Sequence, residues 1–324
     1  MSHTATNLRR LQRFACRPLG SLALAAACFA TFLPRAAAYG PAGHQTVGAV
    51  ADRLIVGTPA GARVQALLGG DSLEAAAASV KESAAPRYHY TGIPVHERGY
   101  GDGIKGTRPD DVVHMIRRCI TVLQGGNDPQ FGQRDALRML AHLIGDLHQP
   151  LNVGTAYLTE SSQLSRGAGQ MEGTNRGIHI RFQGSTLHDY WESKTVEMAM
   201  TQAGAATPRA FAQNLTASVP PGLNTGEILG PASRIWATEM LPAAREAYVR
   251  LRFGRPIAVG QHFEWEAKAT IVNATYDIWA TQITRRNLAL GGYRLAAVLK
   301  RIWPGEVSEA RRAAAAKRAS LAAF

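Results

Sequence analysis

Cysteine is scarce in this 324-residue chain: three in all, with no Cys-x-x-Cys pair. That is too few for a disulfide scaffold, and it excludes a thiolate zinc site or a dithiol redox motif. Acidic residues are also few, 24 against 36 Lys and Arg, which gives a formal charge of +12. There is no collagen repeat, no sustained heptad run and no block of like charge. A chain that is 46% hydrophobic and 19% charged is too apolar for disorder and long enough to bury a sizeable core. The surplus of positive charge points to acidic partners such as nucleic acid or anionic lipid headgroups, once any leader has been discounted.

Such a leader is legible. Arg9, Arg10, Arg13 and Arg17 precede an apolar run from Leu22 to Leu33, and Ala36, Ala37 and Ala38 follow Arg35. This is the order of a signal peptide over residues 1–38; an uncleaved anchor is the alternative, but the run is short of the roughly 20 residues a membrane span needs. Cleavage after Ala38 removes five arginines and no acid, taking the charge from +12 to +7, and leaves Cys119 as the lone thiol. The expected destination is the periplasm or the exterior, with no membrane span after cleavage. The mature chain then begins at Tyr39, whose freed amine and carbonyl are two potential metal ligands on one residue.

Apolar residues at helical spacing dominate the rest. They predict helices around Val47–Leu54, Leu73–Val80, Asp110–Leu123, Gln133–Leu147 and His188–Met200, and a long helical region from Ile228 to Leu299. Thr155 to Asn175 reads as a loop, and Gly177 to Phe182 as half of a small β-hairpin. No repeat or linker divides the chain. The expectation is an all-α fold, a single mostly helical domain with one small hairpin over 39–303, followed by a basic, Ala-rich tail over 304–324.

Nine of the ten histidines survive cleavage, and two of them head the same pattern. His142 and Asp146 stand at i and i+4, as do His188 and Glu192, so each pair shares a helix face with side chains ~5 to 6 Å apart. Either pair alone can be an ordinary surface hydrogen bond. Two on separate inward-facing helices form a nitrogen and oxygen donor set suited to zinc. His44 and His89 are further candidates from loops or helix starts.

The residues around these pairs carry a resemblance. Gly40-x-x-Gly43-His44, His89-Tyr90, the block Leu140-Ala-His-Leu-Ile-Gly-Asp-Leu-His-Gln-Pro-Leu151, Leu187-His-Asp-Tyr-Trp191 and Gly291-Gly-Tyr-Arg-Leu-Ala-Ala-Val-Leu299 resemble, in order, the zinc-dependent single-strand nucleases of the S1/P1 type, related to bacterial zinc phospholipase C. The resemblance implies a mostly helical fold of the phospholipase C / single-strand nuclease type and up to three zinc ions. It implies metal ligands at Tyr39, His44, Glu82, His89, His142, Asp146, His188 and Glu192, with Glu82 also beside the attacking water.

Three departures accompany it. Asn152 stands where the family has His, and Glu192 where it has Asp, which weakens the metal site shared with His188; His148 is a nearby candidate to compensate. Ala85 replaces an Arg, and a one-residue slip would put Lys81 in place of Glu82. Gly92 lies where relatives carry a base-reading Asp or Asn; no substrate-binding residue is assigned. The expected function is an exported zinc-dependent endonuclease, a phosphodiesterase hydrolysing single-stranded DNA or RNA to 5′-phosphate products with metal-activated water. The alternatives are a zinc phosphoesterase or phospholipase C-like enzyme and a metal-poor, non-catalytic relative. A monomer is assumed.

Overall fold

A computed structural model describes residues 39–81, 85–165, 170–223, 228–271 and 273–305. The leader, Glu82 and all but the first two residues of the basic tail lie outside the described residues. Those described belong to one compact unit.

The fold is mostly helical, as the apolar periodicity predicts. Helix α1 (Pro41–Ile55) starts with Pro in its first turn, where a missing N–H costs nothing, and buries Val47, Val50 and Ala51. After α2 (Pro59–Leu68), α3 (Leu73–Ala78) is held against α1 by a carboxylate. Asp52 accepts from the N–H groups of Leu73 and Glu74, both at 3.0 Å, while Ser72 caps Ala75. Two donors that α3 cannot satisfy itself are therefore satisfied by α1. Helices α4 (Val112–Leu123) and α5 (Gln133–Leu147) pack as a pair. The short α6 (Pro150–Val153) follows, capped by the Gln149 side chain.

Downstream, α7 (Leu187–Asp189) runs through a π turn (Tyr190–Lys194) into α8 (Thr195–Gln202), then α9 (Pro208–Leu215) and α10 (Ala232–Val249). The 30-residue α11 (Asn273–Ile302) lies along α1. Their crossing is close because residue 292 is glycine: a Cβ there would come within 2.4 Å of Val50 Cβ. One core forms around these helices. A second, aromatic core gathers Phe182, Tyr190, Trp191, Tyr248 and Tyr276.

Strand content exceeds the single hairpin expected. That hairpin is present: β5 (Ile180–Phe182) and β6 (Ser185–Thr186) pair across Gln183 and Gly184, both with positive φ, as a tight two-residue turn requires. The stretch read as loop takes in the end of β2 (Gly154–Thr155), which pairs in parallel with β1 (Ile93–Pro94), and contains the antiparallel pair β3 (Tyr157–Thr159) and β4 (Gln170–Gly173). The region read as helical through to Leu299 is interrupted by β7 (Leu251–Phe253), β8 (Ile257–Val259) and β9 (His262–Ala269). Gly254, Pro256 and Gly260 break the helix there. Within β9, Trp265 and Ala267 are buried and alternate with exposed Glu266 and Lys268 to give a period of two. Strand β9 pairs with β7 and β8 antiparallel and with β5 parallel, which ties the hairpin into one small sheet. Among the described residues no helix is long and apolar enough to cross a membrane.

Candidate metal centre

The last two turns of α5 are buried throughout, from Leu140 to Leu147, so His142 and Asp146, one turn apart on a single face, both lie in the interior. Asp146 is fully buried and is the hub. His44 Nε2 from α1 lies 3.3 Å from its Oδ1, and His142 Nε2 lies 3.3 Å from its Oδ2. His89 Nδ1, from a 3₁₀ turn (Pro86–His89), lies 2.8 Å from Oδ2. The His44 and His142 rings stack with centroids 3.7 Å apart, and His89 meets His142 edge-on. Close approach of α1 to α5 depends on Gly145, where a Cβ would fall 2.8 Å from His44 Nδ1.

His44, His142 and Asp146 each offer a ligand atom within 4.8 Å of the others. All three are buried, and two imidazoles with one carboxylate are borderline nitrogen and oxygen donors of the kind zinc takes. The support around them fits as well. His142 Nδ1 donates to the carbonyl of Ala77 at 2.7 Å, so in the neutral ring Nε2 carries the lone pair and points at Asp146. This group could hold a metal ion, with His89 at its edge.

Tyr39 lies beside it, fully buried. Its hydroxyl donates to the His148 carbonyl at 3.1 Å and its ring meets His44 edge-on. Burial pushes its phenol pKa up, so the side chain stays neutral. Gly40 N–H donates to the Glu192 carbonyl at 3.2 Å, which brings the start of α1 to the π turn.

The second pair is differently placed. His188 Nδ1 donates to the Arg176 carbonyl at 3.0 Å, and Nε2 stands 3.9 Å from Glu192 Oε2. Asn152, which the resemblance assigns to the same site, does not complete it. The Asn152 amide donates through Nδ2 to the Asp146 carbonyl, which turns Oδ1 toward Arg176 Nη1 at 3.5 Å. A neutral amide oxygen already facing a guanidinium does not fit a third zinc.

His148 does not compensate. Its Nδ1 donates to the Ile144 carbonyl at 2.7 Å and its Nε2 accepts from Arg294 Nη1 at 2.9 Å. Burial and then the Arg294 charge push its pKa down to about 3, so it is a neutral acceptor inside the core. Arg294 arrives from α11, 146 positions away, so nothing near His148 in sequence announces this bond. Glu82 lies outside the described residues, while Lys81 is exposed and Ala85 caps the turn that carries His89. Cys119 is buried within α4, and burial raises its thiol pKa, which removes it as a nucleophile.

Arg176 is a residue that helical and strand periodicities do not flag. It sits in left-handed backbone (φ 59°, ψ 25°) just before β5, and is 8% exposed. Its guanidinium lies 3.6 Å from the centre of the Tyr90 ring, which Arg108 also contacts at 4.7 Å. The one available signal is a single arginine inside the Gly173-Thr-Asn-Arg-Gly177 turn.

Comparison with known proteins agrees with this geometry. The family model described as S1/P1 Nuclease matches residues 39–304. Endonuclease 3 of Arabidopsis thaliana is 25% identical over 179 residues, which are 55% of this chain and 54% of that protein. The chain thus spans about half the length of that curated relative.

Proposed function

Because the chain belongs to the S1/P1 nuclease family, we propose that it is an exported zinc-dependent nuclease that cleaves single-stranded DNA or RNA and leaves 5′-phosphate ends. The observation that carries this reading is the convergence of His44, His142 and Asp146 within 4.8 Å in a buried pocket of donors. When bound, zinc supplies Lewis acidity, polarising a phosphodiester and making water acidic enough to act as nucleophile near neutral pH.

The chain's own residues set that chemistry up. His44 and His142 hold metal through Nε2, Asp146 offers both carboxylate oxygens, and the Ala77 carbonyl keeps the His142 ring in its ligating tautomer. His89 extends the set at Asp146 Oδ2, and Tyr39 contributes its amine and carbonyl once the leader is removed. His188 and Glu192 are assigned to the same cleft, and Glu82 to the side of the attacking water. Domain limits of 1–38, 39–303 and 304–324, a periplasmic or secreted location and a monomeric state are part of the proposal. The mature charge of +7 suits a polyanion, and a single strand can unstack to enter a cleft.

A second reading, a phosphoesterase of phospholipase C type, is favoured by Gly92, which offers no side chain to read a base. The experiment that separates the two uses the mature chain with zinc on single-stranded DNA, RNA, duplex DNA and phosphatidylcholine. Single strands should be cut to 5′-phosphate products, with loss on chelation and recovery with zinc. Cleavage of phosphatidylcholine alone, or no turnover with zinc bound, contradicts the nuclease reading.

A further inference from the structure

Resting on the nuclease reading, we propose that the Arg176 guanidinium, on the residue whose carbonyl holds His188, is a resident cation standing in for a third metal ion, and that it binds a phosphoryl oxygen of the substrate. Three observations converge on it. First, the Asn152 amide is committed: Nδ2 donates to the Asp146 carbonyl, and Oδ1 faces Arg176 Nη1 at 3.5 Å. The donor that would complete a metal site instead faces a positive charge.

Second, the guanidinium is built in rather than draped on the surface. Its plane packs on Tyr90 at 3.6 Å from the ring centre, and its stem runs past Gly92, where an added Cβ would fall 3.7 Å from Arg176 Cγ. A guanidinium stacked on an aromatic face keeps its fork rigid, and a rigid fork suits phosphate better than a lysine ammonium does.

Third, the backbone is held in left-handed geometry that non-glycine residues avoid. The Arg176 N–H donates to Thr155 Oγ1 at 3.2 Å and its carbonyl accepts from His188 Nδ1 at 3.0 Å. The bond to His188 orients one half of the His188–Glu192 pair with the same residue that supplies the cation. A metal ion captured there would have to share the neighbourhood of a fixed positive charge, so arginine and metal are alternatives.

The test counts zinc and measures inorganic phosphate binding by calorimetry on the zinc-loaded mature chain. Arg176→Ala should weaken phosphate at least about tenfold, the scale of one charge-assisted contact, with zinc content unchanged. Arg176→Lys should fall between the two. Asn152→His alone should gain no zinc, whereas Asn152→His with Arg176→Ala should gain one ion per chain. Should Arg176→Ala not fold, Arg176→Gln, which keeps the stem against Gly92, serves the same comparison. A third zinc in the wild type, or unchanged phosphate affinity without the arginine, overturns the assignment. Wild-type protein that shows the expected zinc and phosphate results but cuts no nucleic acid overturns the nuclease reading instead and leaves the Arg176 assignment standing.

Discussion

Three imidazoles converge on the Asp146 carboxylate, so the centre is most sensitive at that residue. Asp146→Asn keeps the volume and removes the charge. It should strip zinc from the centre and lower hydrolysis at least about 100-fold, since even outer-shell partners are worth 10- to 100-fold. Metal analysis and single-strand hydrolysis on the same sample check this. Gly145→Ala tests the approach of α1 to α5: a methyl 2.8 Å from His44 Nδ1 must displace that ring. Zinc affinity should fall about 10-fold or more by competition with a chelating dye, with the circular dichroism of a folded helical protein retained. At this scale the i, i+4 pairs make half of the centre legible in sequence, because helical spacing alone puts His142 beside Asp146. His148 is misleading for the complementary reason. Its two nitrogens are taken by Ile144 and by Arg294, and the second partner comes from a helix the local pattern does not mention. Arg176 acquires its place from a left-handed turn, which periodicity does not encode.

Among the elements, the helices that carry the centre follow from their apolar stripes, and α1, α4 and α5 fall close to where the spacing puts them. Strands β7 to β9 do not. They lie between two true helices, and the signal for β9 is a short alternation around Trp265 that a long helical window absorbs. Strands β3 and β4 are hidden because their pairing partners are separated by polar, glycine-rich chain. The α1–α11 crossing depends on the absence of a side chain at residue 292, where a Cβ would lie 2.4 Å from Val50 Cβ. Gly292→Ala should therefore destabilise the fold by about 1–3 kcal/mol, the usual cost of overpacking. Chemical denaturation checks it; an unchanged midpoint would mean that the two helices separate without penalty.

For the molecule as a whole, the centre joins α1, α5 and the His89 turn, three pieces of chain far apart in sequence. Metal held there binds the folded state only, so it must raise stability. At a free zinc concentration 100 times the dissociation constant the gain is about 2.7 kcal/mol, or about 4 to 5 °C in Tm for a chain of this size. Chelation should remove that increment and added zinc restore it, as read by thermal melting; Asp146→Asn should show neither response. Under the proposed cleavage, a net charge of +7 would add a salt-sensitive attraction to a polyanion without choosing among polyanions. The central claim is that the His44–His142–Asp146 group holds zinc, and anomalous diffraction at the zinc edge from crystals of the mature protein tests it most directly. The account predicts an anomalous peak within coordination distance of His44 Nε2, His142 Nε2 and an Asp146 carboxylate oxygen. Zinc-soaked crystals with no peak among those three atoms would contradict it.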